Sequence, residues 1–178
     1  MCGIVGGITS KNITPLLLDG LKQLEYRGYD SSGLVILSQD NKLVRERAAG
    51  KVSNLENNLK LKKPSLKGNV GLAHTRWATH GKPSVNNAHP HISKNSISVV
   101  HNGIIENYID LKDLQMKQGY AFTSETDTEV IAHAIESAIK SSNSLLKATQ
   151  KAIKTLDGSY GIGILSSKYP DQIIAARK

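Results

Sequence analysis

Cys2 is the only cysteine of the chain and directly follows Met1. If Met1 is removed, the thiol of Cys2 and a free α-amine belong to one residue, which places a nucleophile beside a base. A free α-amine has a pKa of roughly 7.7–8.0, so part of it is unprotonated near neutral pH and can take the thiol proton. A small residue leading into a buried strand would explain Cys2 equally well, and a motif this short does not decide between the two interpretations.

Arg76 and Trp77 are the first of three polar groups that follow predicted strands. The guanidinium of Arg76 could hold a carboxylate through two hydrogen bonds. It could equally form a cation–π pair with Trp77, the only tryptophan, on the protein surface. The two interpretations remain open on these residues alone.

The other two groups contain an amide and a carboxylate. The side chain of Asn102 and the backbone N–H of Gly103 could form a two-donor oxyanion hole. An Asn-Gly turn is the commoner meaning of this dipeptide, but here the chain runs directly into a predicted helix. Asp127, at the start of another predicted helix, could bind an ammonium group. It could equally stabilise the helix through a favourable interaction with the helix dipole.

Composition limits the class of protein. The 178 residues suit one domain with an aliphatic core, since 39% are hydrophobic and only 4% aromatic. A net charge of +8 would suit nucleic acid, but the lysines are scattered and no recognition motif accompanies them. A single cysteine, no basic leader and no apolar run of membrane-spanning length predict a soluble cytoplasmic protein. The six histidines lack a metal-ligand spacing, so hydrogen-bonding roles are favoured over a metal site.

Hydrophobic periodicity and turn residues predict alternating strands and helices. Thr14, Ser53 and Thr126 are predicted helix caps, and residues 62–68 a basic loop. The pattern favours two antiparallel sheets with helices outside them. The predicted strands are residues 3–8, 34–37, 43–47, 70–73, 97–100, 160–165 and 172–176, and the predicted helices are residues 14–26, 53–59, 107–117, 126–139 and 145–156.

Seven segments resemble segments of one family and occur in the same order as in that family. They are CGIVG at 2–6, LEYRGYDS at 24–31, AHTRWATHG at 73–81, AHPH at 88–91, VHNGIIEN at 100–107, SETDTEV at 124–130 and LDGSYG at 156–161. They resemble the glutaminase domain of the glutamine–fructose-6-phosphate aminotransferases, which are class II glutamine amidotransferases. The resemblance implies an α+β fold, the four-layer αββα sandwich of the N-terminal nucleophile hydrolases. It also implies that residues 1–178 are one glutamine amidotransferase type-2 domain, without the family's last strands and its isomerase domain.

The same resemblance implies catalytic roles. Cys2 would be the nucleophile and its own α-amine the base, so the active form would lack Met1. Asn102 and Gly103 would form the oxyanion hole, and Arg27 would support Asn102.

The resemblance also implies a glutamine pocket. Arg76 would hold the substrate carboxylate and Asp127 the α-ammonium group. Thr79 and His80 would line the same pocket, and Trp77 would lie on the loop that closes over it.

The implied reaction is hydrolysis of L-glutamine to glutamate and ammonia. In the full-length enzyme, expected to be a homodimer, a sugar-isomerising domain would use the ammonia to convert fructose 6-phosphate to glucosamine 6-phosphate. No cofactor, metal, nucleic acid or membrane is implied. Two alternatives stay open: a catalytically silent or regulatory domain of the same fold, and a glutaminase that serves another acceptor.

Overall fold

The computed structural model of the protein describes residues 2–61, 66–78 and 80–178. Within these residues, eight strands form two four-stranded sheets in which every pairing is antiparallel. The prediction of two antiparallel sheets is therefore confirmed. Met1, Thr79 and residues 62–65 of the predicted basic loop lie outside the described ranges.

The first sheet has the strand order β1-β4-β2-β3. Its strands are β1 (Gly3–Ile8), β2 (Ser31–Leu37), β3 (Leu43–Ala49) and β4 (Val70–Arg76). Among the described strands, β1 pairs only with β4, in a register that sets Gly3 opposite Thr75. The beginning of the chain therefore lies beside the end of β4.

The second sheet follows chain order, β5-β6-β7-β8. Its strands are β5 (His91–Ser93), β6 (Ile97–Ile105), β7 (Gly158–Ser166) and β8 (Tyr169–Arg177). β6 and β7 pair along their whole length, from Ile97 opposite Ser166 to Ile105 opposite Gly158.

Helices cover the outer faces of both sheets. They are α1 (Thr14–Leu24), α2 (Val52–Leu61), α3 (Tyr108–Lys117), α4 (Glu129–Ile139) and α5 (Leu145–Ile153). α1 and α2 share one buried aliphatic cluster with the first sheet, and α4 and α5 share another with the second. None of the described helices is long and apolar enough to span a membrane.

The two sheets face each other through a third aliphatic cluster. It contains Val35, Val70, Leu72, Val100 and Leu165, all buried. Because side chains alternate across a strand, His74 and Arg76 lie on the same face of β4 as Val70 and Leu72. The interior of the sandwich is therefore apolar at one end and polar at the other.

Six strands are longer than predicted, and the extensions of three of them reach the polar end of the sandwich. β2 begins at Ser31, β4 continues to Arg76 and β6 continues to Ile105. The predictions ended these strands at polar residues or glycines, but here those residues remain in the sheet and face the polar end of the sandwich. β5 was not predicted at all.

The three predicted helix caps are wrong. α1 is preceded by Ile13, Ser53 lies inside α2, and α4 begins only at Glu129. The carboxylate of Glu129 instead accepts backbone N–H bonds from Thr123 and Ser124. The acceptor for these backbone N–H groups is therefore a side chain of the first helical residue, which folds back over the residues that precede α4.

Four buried histidines occupy the polar end of the sandwich: His74, His89, His91 and His101. Burial lowers the pKa of His74 to about 3, against the opposing effect of its hydrogen bond to Asn102. Burial also lowers the pKa values of His89 and His91 well below the ordinary value, with neighbouring histidine and arginine charges adding to the effect. These rings are therefore neutral at physiological pH.

Stability is expected to fall steeply as the solution becomes mildly acidic. The pKa of such a histidine is lower in the folded chain than its unfolded value of 6.5. As the pH falls, the unfolded chain therefore binds more protons than the folded chain, which favours unfolding. For His74, this loss of stability extends from pH 6.5 down to about 3, where the folded state also takes up its proton. Well below pH 6.5 and above its folded pKa, each such histidine lowers the free energy of unfolding by about 1.4 kcal/mol per pH unit.

Urea unfolding at several pH values between about 7.5 and 5.5 measures this slope. The matched change His91→Gln retains a hydrogen-bonding side chain that cannot be protonated. The free energy of unfolding lost between about pH 7.5 and 5.5 should therefore be smaller in the variant by about 1.4 kcal/mol, because an unfolded histidine titrates within this range. A free energy of unfolding that stays level over this range would contradict the prediction.

Candidate active site

A cavity of about 570 Å³ opens at the polar end of the sandwich. Residues from both sheets and from the segment before α4 line it. Its walls include Cys2, Arg27, Arg76, Trp77, His80, Asn102, Gly103 and Asp127. Every candidate site residue from the sequence that the structure describes therefore lies on this cavity, and Thr79 lies outside the described residues.

Cys2 reaches the cavity because of the pairing of β1 with β4. Gly3 is opposite Thr75, so Cys2 comes next to the end of β4. Cys2 lies two residues before Ile4, so its side chain is on the same face of the strand. Ile4 packs against the cluster between the sheets. The backbone N–H of Trp77 donates a hydrogen bond to Cys2 Sγ at 3.2 Å.

Asn102 and Gly103 lie inside β6 and not at the end of a strand, so the alternative of an Asn-Gly turn is excluded. Asn102 Nδ2 donates to the backbone oxygen of Cys2 at 3.2 Å, and Asn102 Oδ1 lies 2.7 Å from His74 Nε2. Gly103 has a φ of +135°, and a Cβ there would lie 2.1 Å from the carbonyl oxygen of Ser159. Only glycine fits at this position.

Arg76 is a buried cationic side chain of the cavity and is only 3% exposed. Its Nη2 donates to the backbone oxygens of His80 and Gly81, which holds the guanidinium in place. Nη1 lies 3.6 Å from the carboxylate of Asp30 and makes no hydrogen bond within the described ranges. A buried N–H group that lacks a hydrogen-bond acceptor is suited to a carboxylate ligand.

Asp127 is the anionic side chain of the cavity and precedes α4. Its Oδ2 accepts the backbone N–H of Ile105 at 2.8 Å, and its Oδ1 lies 4.0 Å from His101 Nδ1. Burial lowers the pKa of His101 although the carboxylate of Asp127 opposes this, so the contact joins a carboxylate to a neutral ring. The negative charge of Asp127 therefore remains available to a ligand.

Trp77 and His80 lie at the wall and mouth of the cavity. Trp77 is 55% exposed, and its ring rests on the backbone of Gly28, where a Cβ would lie 2.1 Å from it. The ring of His80 packs edge-on against Tyr108 at 5.2 Å between centroids. Arg27 also lines the cavity.

The residues behind Asn102 were not predicted from the sequence. His74, His89, His101 and Thr128 form a buried hydrogen-bonded cluster there. The alternation of β4 could have indicated His74, because it shares a face with Val70, Leu72 and Arg76. Across the described ranges, no group of three or more histidine, cysteine or acidic side chains is arranged to hold a metal ion.

Comparisons with known proteins agree with this geometry. A family model described as a glutamine amidotransferase domain matches residues 74–178. The chain is 53% identical over 177 residues to the glutamine–fructose-6-phosphate aminotransferase [isomerizing] of Pseudomonas putida and 52% identical over 178 residues to that of Acinetobacter baylyi. The two alignments cover 99% and 100% of this chain but only 29% and 28% of the two relatives.

Solved structures are similar over nearly the whole chain. The glutamine phosphoribosylpyrophosphate amidotransferase of B. subtilis aligns with a TM-score of 0.76 at 26% identity, covering 99% of this chain and 36% of that one. A structure described as the allosteric regulatory enzyme of purine biosynthesis aligns with a TM-score of 0.80 at 28% identity, covering 99% and 37%. The predicted N-terminal nucleophile hydrolase architecture is confirmed, and the chain belongs to the glutamine amidotransferase domain family.

Proposed function

We propose that this chain hydrolyses L-glutamine to glutamate and ammonia with Cys2 as the nucleophile. The observation that carries the proposal is the shared cavity of Cys2, Asn102, Arg76 and Asp127. It combines a thiol, an amide donor, a cation and an anion. Membership of the glutamine amidotransferase family supports the same reaction.

Glutamine fits these groups as a zwitterion with an amide at its far end. The guanidinium of Arg76 pairs with the α-carboxylate, and the carboxylate of Asp127 pairs with the α-ammonium group. The side-chain amide then points towards Cys2. His80 and Trp77 complete the walls of the pocket.

The chemistry proceeds through a covalent intermediate. The thiolate of Cys2 attacks the side-chain amide carbon, and the resulting oxyanion accepts hydrogen bonds from Asn102 Nδ2 and the backbone N–H of Gly103. The C–N bond then breaks and ammonia leaves with a proton from the α-ammonium group of Cys2. Water hydrolyses the γ-glutamyl thioester to glutamate and regenerates the thiol.

This mechanism requires a free α-amine on Cys2, so the active form lacks Met1. With Met1 attached, the nitrogen of Cys2 is an amide and cannot take the thiol proton. Arg27, on the wall of the cavity, supports Asn102 in this scheme.

In a longer protein, the ammonia would be passed to a second domain. The chain spans less than a third of the relatives named glutamine–fructose-6-phosphate aminotransferase [isomerizing]. We infer that a sugar-isomerising domain, in a homodimeric enzyme, uses the ammonia to convert fructose 6-phosphate to glucosamine 6-phosphate. The present chain would supply the glutaminase step.

Cys2→Ala should abolish glutamate release, because the substitution removes the only thiol. Enzymatic assay of glutamate with the wild-type chain and the variant measures this. Mass analysis after treatment with the glutamine-like electrophile 6-diazo-5-oxo-norleucine should show one adduct on Cys2 and none in the variant. Glutamate release at the same rate in both chains would reject Cys2 as the nucleophile.

Asp127→Asn should raise the KM for glutamine by at least about tenfold, because the buried partner of the ammonium group loses its charge. Glutaramate, which is glutamine without its α-amino group, should be hydrolysed equally well by both forms. Asp113→Asn removes the same charge from an exposed position on α3 and is the matched control. Equal losses towards glutamine and glutaramate would contradict the assignment of Asp127 to the ammonium group.

A further inference from the structure

Asn102 can serve as an oxyanion donor only if its amide nitrogen, and not its oxygen, faces the substrate. The structure contains two contacts that bear on this orientation. Asn102 Nδ2 lies 3.2 Å from the backbone oxygen of Cys2, and Asn102 Oδ1 lies 2.7 Å from His74 Nε2. A carbonyl oxygen only accepts, so the nitrogen of the amide must be the atom that faces Cys2.

The proton on His74 is determined by a second backbone oxygen. His74 Nε2 lies 3.0 Å from the carbonyl oxygen of His101 and is also next to Asn102 Oδ1. Both neighbours are acceptors, so Nε2 must carry a hydrogen. Burial keeps the pKa of His74 at about 3, so the ring is neutral and Nε2–H is its single N–H.

His89 contacts the face of the His74 ring. Its Nδ1 lies 3.1 and 3.3 Å from the two nitrogens of His74, and the ring planes are inclined at 75°. An aromatic face is the negative part of a ring, so the edge that approaches it must present an N–H. His89 therefore carries its proton on Nδ1.

The proton on His89 also determines the donor and the acceptor in the remaining hydrogen bonds of the cluster. With its proton on Nδ1, the neutral His89 accepts at Nε2 from the hydroxyl of Thr128, 2.8 Å away. The oxygen of Thr128 then accepts from His101 Nδ1 at 2.9 Å. The same Nδ1–H faces the carboxylate of Asp127 at 4.0 Å, which favours a proton there.

We propose that His74 is the positioning residue of the oxyanion hole: its Nε2–H holds the side-chain oxygen of Asn102 and so turns the amide N–H₂ towards Cys2 and the substrate carbonyl. The inference rests on the proposed glutaminase function. His89, Thr128 and His101 form the supporting cluster, which leaves His74 its single proton at the nitrogen that faces Asn102. His74 itself acts only through Asn102.

Two substitutions of His74 test this role by kinetics. His74→Phe retains a ring without an N–H, and His74→Gln retains an amide N–H at similar reach. His74→Phe should lower kcat for glutamine hydrolysis by at least about tenfold with little change in KM, because an oxyanion donor acts in the transition state. His74→Gln should recover part of the loss. Equal activity of the two variants, or wild-type kcat in His74→Phe, would overturn the proposal.

A double-mutant cycle separates positioning from a general loss of structure. Asn102→Ala removes the group that His74 holds, so adding His74→Phe to it should cause no further decrease in kcat. The same fold decrease in both backgrounds would overturn the proposal, since His74 would then act independently of Asn102.

His133→Phe is the matched control for loss of a buried histidine. His133 is 3% exposed, is hydrogen-bonded to Ser93 and does not line the cavity. Its substitution should leave kcat close to that of the wild type, and thermal unfolding of all variants reports their stability.

Nitrogen NMR of the histidine rings provides a readout that needs no activity. The wild-type spectrum should show a proton on Nε2 of His74 and on Nδ1 of His89 and His101. If the wild-type chain releases no glutamate, the proposed function fails, and the spectrum still decides the orientation of Asn102. A His74 proton on Nδ1 would overturn the inference whatever the activity.

Discussion

The pairing of β1 with β4 is the interaction on which the site depends. It brings the first residues of the chain to the last residues of a strand that lies some seventy positions later, with Gly3 opposite Thr75. Because side chains alternate on a strand, this register turns Cys2 and Arg76 to the same interior face. A shift of one residue would turn Cys2 towards α1 and separate it from the cavity.

Most buried groups at the polar end of the sandwich are neutral or hydrogen-bonded, and Arg76 Nη1 is among the exceptions. Neutral imidazoles avoid the large cost of burying a charge and still offer one donor and one acceptor each. The charged side chains at this end are anchored by the backbone: Arg47 donates to the carbonyl oxygens of Asn86 and Ala88 at 3.0 and 2.9 Å. Burial lowers the pKa of Arg47 to about 10, which leaves the guanidinium charged at neutral pH.

Two of the errors in the predicted elements fall at the candidate site. His74, Thr75 and Arg76 are polar, so their composition indicated a loop, yet they continue β4. Asn102 and Gly103 indicated a turn or a strand end, yet they continue β6. In each case the neighbouring strand supplies hydrogen bonds and the opposite sheet supplies polar partners, and neither can be seen in a local window of sequence.

The sequence by itself determined the alternation of strands and helices, the unique thiol and the residue types that a glutamine site requires. Those properties depend on local periodicity and on the chemistry of single side chains. Only the tertiary structure decided which polar groups meet, because the two sheets bring β4 and β6 face to face. It therefore identified His74 as the partner of Asn102, since hydrogen-bond directions depend on where atoms lie and not on how far apart residues are in the chain.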